Sequence, residues 1–394
     1  MFKFFTVLAG LLCLWVHSLS QIASIDDLLQ TIENNNSTLG SYRSYIKGKN
    51  LEYQLENKLP DPQVSAYYLP FGEHAPGDYS EFEIAQRLEM PGVYATRKKW
   101  IGAQEERLDL KYMELRQEIL LKAKKLALDW AHLQKQYQLT EGRVAQARKL
   151  YQQMQTLFEK GQIGILDLNK SKISWLDQQF ALEELASRES ILQSQIESLN
   201  GGEALNLTLK DNPPTVENIE MDSLWQERMT RDPRVILLER EIAVARQSLE
   251  LERKKKLPEF TAGYNYQGVQ GNNYWGLYGG ISVPLWRGKH QVELAEAQLD
   301  YSGQYQIAEL TKMKADYDQR VERYELLQTK FEEYQKAMSG LNSAELLYKS
   351  FELGEISFMD YYREISFYRQ AENRMLEMKH ELQLLHAELL QHRL

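Results

Sequence analysis

The chain has 394 residues, a formal net charge of −9 and a single cysteine, and 43% of its residues are hydrophobic. The acidic balance excludes a surface built to bind nucleic acid, because phosphate backbones attract basic proteins. After residue 20 there is no apolar run of the roughly eighteen residues that a membrane-spanning helix requires, so any part that enters a membrane is expected to do so as strands.

The first twenty residues predict a secretory signal peptide. Lys3 precedes an apolar stretch from Phe4 to Val16, and Ser18-Leu19-Ser20 matches a small-x-small cleavage site before Gln21. The only cysteine, Cys13, lies inside this segment. The mature exported chain is therefore expected to contain neither disulfides nor zinc–thiolate sites.

Two polar segments of helical pattern follow at equivalent places in the chain. The first runs from Ile25 to Leu59 and is interrupted at residues 34–36, and the second runs from Met221 to Leu257 and is interrupted at Asp232-Pro233. Both end in Leu-Pro, where proline stops a helix and makes the preceding residue extended.

After each Leu-Pro the apolar period becomes two, which predicts β-hairpins at about 62–90 and 259–284. The first hairpin has a loop rich in glycine and proline, with Gly72, Pro76 and Gly77. The second turns within Gly268–Asn273. Its alternating residues are Phe260, Ala262, Tyr264 and Tyr266, then Trp275, Leu277, Gly279, Ile281 and Val283.

Each hairpin is followed by a heptad pattern that predicts a long helix, from Thr96 to Lys160 and from Val292 to Glu352. A glycine ends each long helix, and a return helix follows, Asp167–Leu199 or Asp360–Leu394. Heptad tyrosines and a tryptophan are expected to pack between the helices. They include Trp130, Tyr137, Tyr151, Tyr317, Tyr324 and Tyr334.

The two halves share one register, which indicates a duplicated unit. An offset of 193 carries Gly161-Gln162-Ile163 onto Gly354-Glu355-Ile356. The expected organisation is a first repeat at 21–199, a breaker-rich linker at 200–220 and a second repeat at 221–394. The fold class is mainly α with a small β part. Four amphipathic strands cannot close into a barrel, so several copies must combine, and two, three or four copies would satisfy this condition.

The segments that end the hairpins and the tip turns resemble those of the TolC-like outer-membrane efflux proteins. These are Glu89-Met90-Pro91-Gly92, Val283–Lys289, Phe158–Ile163 and Phe351–Ile356. The resemblance implies a homotrimer with a twelve-stranded barrel in the outer membrane and an α-helical coiled-coil barrel across the periplasm. It also implies a periplasmic adaptor and an inner-membrane pump, most often of the RND type. The Pro-Gly ending, the short chain and the lack of a long C-terminal tail are most similar to the heavy-metal (cation) efflux branch.

The resemblance places a periplasmic gate at Asp360, where three symmetry-related carboxylates would repel each other and select cations. The other interpretation of Asp360 is a helix N-terminal carboxylate favoured by the helix dipole. The family often has a second acidic residue one turn later, whereas this chain has Arg363, which predicts partial neutralisation of the ring. Asp167 holds the equivalent place in the first repeat, where capping is the favoured role.

Two further groups of residues are assigned from the same pattern. Gly161, Ile163, Gly354 and Ile356 lie at the tips where an adaptor would dock. An aromatic girdle at the lipid interface is expected from Tyr264, Tyr266, Tyr274, Trp275 and Tyr278, and the alternative for these aromatic residues is the core of a soluble sheet.

No enzyme, cofactor or metal site is predicted. His380, His386 and His392 recur every six residues, which places them on different faces of a helix, and no nucleotide-binding Gly-x-x-x-x-Gly-Lys-Ser/Thr motif occurs. The expected function is a passive exit duct for small solutes in a tripartite efflux system. The alternatives are a type I protein secretion duct and a secreted periplasmic coiled-coil scaffold with the hairpins as soluble caps.

Overall fold

A computed structural model describes residues 21–22, 24–69, 79–208, 221–269, 271–284, 288–339 and 343–394. The predicted signal peptide, the loop with Gly72, Pro76 and Gly77, and most of the linker lie outside these ranges. The elements of the first half are β1 (Gln21–Ile22), α1 (Ile25–Asn35), α2 (Ser37–Glu56), β2 (Gln63–Leu69), β3 (Tyr79–Leu88), α3 (Pro91–Glu159), α4 (Ile165–Leu199) and β4 (Asn206–Leu207).

The second half repeats two short helices, a β-hairpin, a long helical segment and a return helix, without counterparts of β1 and β4. Its elements are α5 (Met221–Arg231), α6 (Pro233–Lys254), β5 (Glu259–Val269), β6 (Asn272–Ser282), α7 (Gly288–Met338), α8 (Ser343–Glu352), α9 (Phe358–Leu389) and a final 3₁₀ turn (Gln391–Arg393). The chain is mainly helical with a small sheet, as the fold class predicts.

Both predicted interruptions of the short helices are present, and each is held by a side-chain cap. The carboxamide oxygen of Asn36 accepts a hydrogen bond from the Leu39 N–H at 3.0 Å and starts α2. The Asp232 carboxylate accepts one from the Arg234 N–H at 3.0 Å and starts α6. These caps satisfy N–H groups that the first turn of a helix leaves without partners.

The first long helix is continuous over 69 residues. It starts at Pro91, five residues before the predicted start at Thr96, because proline fits the first turn of a helix without losing a hydrogen bond. A half-buried ion pair holds its beginning to the end of β3, with Arg97 Nη2 2.7 Å from Glu89 Oε1.

The second long helix, predicted over Val292–Glu352, is described as two elements. In the structure α7 ends at Met338 and α8 begins at Ser343. The second repeat carries Gly-Leu-Asn at 340–342, whereas the equivalent positions 147–149 of the first repeat carry Ala-Arg-Lys. Residues 340–342 lie outside the described ranges.

The two predicted hairpins join into one antiparallel sheet with the strand order β2-β3-β5-β6. Strand directions alternate throughout, and within the described residues β2 and β6 each pair on one side only. A second, parallel pairing was not predicted from the sequence. It joins β1 to β4 through Gln21 with Asn206 and Ile22 with Leu207.

One compact unit combines Met1–Asn35 with Leu126–Thr215. Its described core comes from α1, the C-terminal part of α3 and α4. The heptad residues fill this core as predicted, and Trp130 is only 6% exposed. The most buried apolar residues of the unit include Leu28, Ile32, Ala127, Trp130, Leu133, Met154 and Ile196.

The other compact unit combines Asn36–Lys125 with Val216–Leu394 and contains the four-stranded sheet. A core cluster of this unit joins α5, α7 and α9. Tyr317 and Tyr324 lie inside it, as predicted, whereas Tyr334, also predicted to pack between helices, is 39% exposed. The buried members are Leu224, Tyr317, Tyr324, Leu327, Met378, Leu382 and Leu389.

Candidate functional site

The two helical tips end their first helices in the same way. Gly161 and Gly354 have positive φ angles of 69° and 74°, which glycine adopts without steric cost. In each tip the glycine N–H bonds to a carbonyl three residues back, and the next N–H bonds five residues back. This Schellman pattern satisfies the last carbonyl groups of a helix and reverses the chain direction.

The return helices begin differently in the two tips. Helix α4 follows Gly164 and has no side-chain cap hydrogen bond, so Asp167 lies in its first turn without the capping role predicted for it. Ile163 is half-buried, and the neighbouring Leu166 is 70% exposed. The first tip thus presents apolar side chains beside a plain glycine turn.

An aromatic cluster closes the second tip. Phe351 from α8 lies 5.5 Å from Tyr361 and 6.4 Å from Phe358 between ring centroids, and both partners are buried in α9. Tyr348 adds an edge contact to Tyr361 at 6.2 Å. These rings pack α8 against the start of α9 with Ile356 half-buried in the turn.

The predicted gate residue Asp360 is held by its own helix. The Ser357 hydroxyl accepts the Asp360 N–H at 3.1 Å and donates to Asp360 Oδ2 at 2.6 Å. Arg363 Nη2 donates to the other oxygen, Oδ1, at 3.0 Å. The helix-terminal interpretation of Asp360 is therefore present in the structure, together with the partial neutralisation by Arg363.

These contacts favour the ionised form of Asp360. The Ser357 hydrogen bond, and then the positive charge of Arg363, lower the pKa of Asp360 below its ordinary value of 3.8. A lowered pKa in the folded state contributes stability above the ordinary pKa, and this contribution is lost as pH falls through the folded-state pKa. The second tip should therefore keep its cap at neutral pH and lose part of it only in strong acid.

Replacing Ser357 by alanine is expected to loosen the start of α9. The variant loses the cap, which costs about 1 kcal/mol, so amide exchange in the first turn should accelerate about fivefold. Hydrogen–deuterium exchange of the intact protein measures this. Ser366→Ala is the control, because Ser366 lies in the same helix and its hydroxyl donates only to the Tyr362 carbonyl at 2.7 Å. Equal exchange in the two variants would show that the cap carries no stability.

The register of the sheet decides which side chains share a face. Directly paired residues of antiparallel strands point to the same side, and successive residues alternate. Phe82 pairs with Tyr266, and Tyr266 pairs with Trp275. One face, here the apolar face, therefore carries Val64, Ala66, Tyr68, Phe82, Ile84, Leu88, Phe260, Ala262, Tyr264, Tyr266, Trp275, Leu277 and Ile281.

The apolar face is uncovered in the single chain. Trp275 is 76% exposed, Leu277 88% and Ile281 66%. No Asp, Glu, Lys or Arg of the described strands points to this face. A contiguous exposed apolar surface of this kind marks contact with lipid or with another protein.

The opposite, polar face carries all four charged residues of the described strands, Glu81, Glu83, Arg87 and Glu259. Arg87 Nε lies 3.9 Å from Glu259 Oε2, so the remaining two carboxylates give this face a net negative charge. Three neutral side chains donate hydrogen bonds to the Glu81 carboxylate. They are Tyr79 at 2.6 Å, Asn265 at 2.6 Å and Gln267 at 3.4 Å.

The five residues predicted to form one aromatic girdle are divided between the two faces. Tyr264, Tyr266 and Trp275 lie on the apolar face, where a girdle would have to be. Tyr274 and Tyr278 lie on the polar face, because β5 residues pair with β6 residues of opposite parity, as in Tyr266 with Trp275. Of the five, only the first three lie on the face where a girdle could form.

A buried charge cluster in the sheet-containing unit was missed from the sequence. Arg228 Nε donates to Asp232 Oδ2 at 3.0 Å, and the two side chains are 4% and 1% exposed. Burial lowers the pKa of Arg228, and the Asp232 charge opposes that effect. Nearby, hydrogen bonding from Arg393 at 2.6 Å lowers the pKa of Glu227 to about 2. The Asp232-Pro233 breaker was the only sequence signal at this place.

Membrane-spanning helices and metal sites were also considered in the described residues. No helix in the described ranges is both long and apolar enough to cross a membrane. Within the same residues, no group of three or more His, Cys, Asp or Glu is arranged to hold a metal ion.

No protein-family model and no curated protein matches the sequence. Solved structures match over nearly the whole chain. CusC, studied for folding and transmembrane channel formation, is 11% identical with a TM-score of 0.77 over 95% of both chains. The CmeC outer membrane channel of Campylobacter jejuni is 12% identical with a TM-score of 0.74 over 93% of this chain and 85% of CmeC. The outer membrane protein VceC of Vibrio cholerae is 12% identical with a TM-score of 0.73 over 94% of both chains.

Proposed function

We propose, starting from the TolC-like channel fold that this chain has, that the protein is the outer-membrane component of a tripartite efflux system. It forms a passive exit duct that carries small solutes across the periplasm and the outer membrane. Its partners are a periplasmic adaptor protein and an inner-membrane pump of the RND type. The duct lies in the cell outer membrane and extends into the periplasm.

The partition of charge across the sheet carries this proposal. A soluble sheet would bury its uncharged face and expose the charged one to water, but here the uncharged apolar face is exposed as well. In the proposed duct this face meets lipid, and the face with Glu81 and Glu83 lines the aqueous lumen. Tyr266 and Trp275, a direct pair nearer the hairpin turn, form the aromatic girdle at the membrane interface, whereas Tyr264 pairs with Leu277 nearer the middle of the sheet.

The duct is a homotrimer in this proposal. Within the described residues, β2 and β6 each have one unpaired edge, and their directions are opposite, so β6 of one copy can pair with β2 of the next in the antiparallel sense. Three copies supply twelve strands and close the ring that one copy cannot close. The helical hairpins of the same copies form the periplasmic tunnel.

The two tips dock the adaptor and narrow the entrance. Gly161 with Ile163, and Gly354 with Ile356, form the turns that the adaptor contacts. Three copies of Asp360 surround the entrance, and each brings its own Arg363, so the ring selects cations weakly. Asp167 is a first-turn carboxylate of the other tip and contributes charge rather than a lock.

The proposed cargo is heavy-metal cations, with drugs as the second candidate class. The net negative charge of the polar face supports this choice, because negative walls attract cations and repel anions. Selectivity among metals would reside largely in the pump.

Membrane fractionation tests the duct. The full-length protein is expected in the outer-membrane fraction and, in unheated samples, as an SDS-resistant trimer. Release with the soluble periplasmic contents would instead support the secreted coiled-coil scaffold. A deletion strain, with the gene restored on a plasmid as the control, is expected to become sensitive to a panel of metals. Sensitivity to drugs alone would reject the cation assignment, and loss of an exported polypeptide would favour a type I secretion duct.

A further inference from the structure

Tyr278 lies across Gly263 on the polar face of the sheet. The two residues are direct partners in the β5–β6 register. A methyl group built on Gly263 would lie 2.5 Å from Tyr278 Cζ and 2.8 Å from the Ile84 carbonyl oxygen. Carbon atoms normally approach to about 3.5–4.0 Å, so the space above Gly263 is filled by the ring.

The same side chain reaches beyond its neighbouring strand. The Tyr278 hydroxyl donates a hydrogen bond to Glu83 Oε1 on β3. The backbone ladder connects only adjacent strands, whereas this side chain connects the edge strand β6 to β3 over the top of β5. Only a residue without a side chain at position 263 allows that path.

Strand β6 needs such a connection because its register is weakly specified. It contains Gly276, Gly279 and Gly280, which offer no side chains for cross-strand contacts. A slip by one residue would turn Trp275 and Leu277 to the polar face. Backbone hydrogen bonds alone do not prevent this slip, because they form in either register.

We infer that the packing of Tyr278 over Gly263, here called the joint, fixes the register of β6. A second copy of this chain pairs with β6 in that register, so the joint controls trimer assembly. The inference rests on the proposed function, since it needs the β6 edge to be an assembly edge. The partner is β2 of the next copy, and the joint acts before that pairing by holding the edge in place.

Gly263→Ala is the direct test, with Gly276→Ala as the matched control. Gly276 lies on the same face in β6, and an added methyl there meets nothing within 4 Å. Gly263→Ala is expected to lower the temperature at which the detergent-solubilised trimer dissociates by about 5 °C or more, whereas Gly276→Ala leaves it near the wild-type value. Tyr278→Phe, which keeps the ring but loses the hydroxyl, should fall between them.

A double variant separates the joint from general damage to the sheet. Tyr278→Ala removes the ring that an alanine at 263 would strike but leaves the Ile84 carbonyl oxygen, so Gly263→Ala should cost clearly less in the Tyr278→Ala background than in the wild type. Simple addition of the two losses, or equal behaviour of Gly263→Ala and Gly276→Ala, would overturn the joint. A wild-type protein that forms no trimer would overturn the proposed function itself, which is a different observation from an unaffected variant.

Discussion

Replacing Asp232 with alanine is expected to lower the free energy of unfolding by about 3–5 kcal/mol. The change removes the partner of Arg228, whose side chain is 4% exposed, and so leaves a buried charge without compensation. It also removes the cap of α6, because Asp232 Oδ1 accepts the Arg234 N–H. Thermal unfolding followed by circular dichroism measures the loss.

Arg188→Ala is the matched control for the Asp232 variant. Arg188 and Glu184 have the same i, i+4 spacing, but their side chains are 59% and 51% exposed. Exposed pairs of this kind contribute at most about 0.5 kcal/mol. A second variant, Asp232→Asn, keeps an acceptor for the cap and should lose less than the alanine variant. Equal melting of Asp232→Ala and Arg188→Ala would contradict the assignment of a buried pair.

Replacing Leu277 with lysine is expected to abolish the outer-membrane trimer. Leu277 is the central residue of β6 and is 88% exposed on the apolar face of the single chain. In water such a change would be almost neutral, but a lysine facing the middle of a bilayer costs about 2–4 kcal/mol. The cost recurs in every copy of the ring. Trimer content of isolated outer membranes is the measurement.

Tyr274→Lys provides the control on the same strand. Tyr274 is three residues away, is 61% exposed and lies on the polar face. Lysine there would point into the aqueous lumen, so assembly should be retained. If Leu277→Lys also assembled normally, the apolar face would not lie in lipid, and the proposed duct would lose its main support.

Much of the secondary structure could be predicted because breakers and periodicity act locally. Asp232-Pro233 separates two helices for reasons contained in those two residues. The same locality explains the tips, where a glycine ends each helix.

The placement of side chains on the sheet could not be predicted, because it depends on register. A turn anywhere within Gly268–Asn273 satisfies the sequence, and a shift of one residue moves every β6 side chain to the other face of the sheet. The structure turns between Val269 and Asn272, which sends Tyr274 and Tyr278 to the polar side. Contacts between residues far apart in the chain, such as Glu227 with Arg393, leave no local signal at all.

The uncharged apolar face makes each newly made copy prone to self-association before it assembles. Before it inserts into a bilayer and pairs with other copies, a single chain exposes to water the apolar face of its sheet and the edges of β2 and β6 that are unpaired within the described residues. Such surfaces self-associate readily. We therefore expect aggregation to threaten the newly made chain more than the assembled pore. We expect newly made chains to depend on a chaperone that covers this sheet.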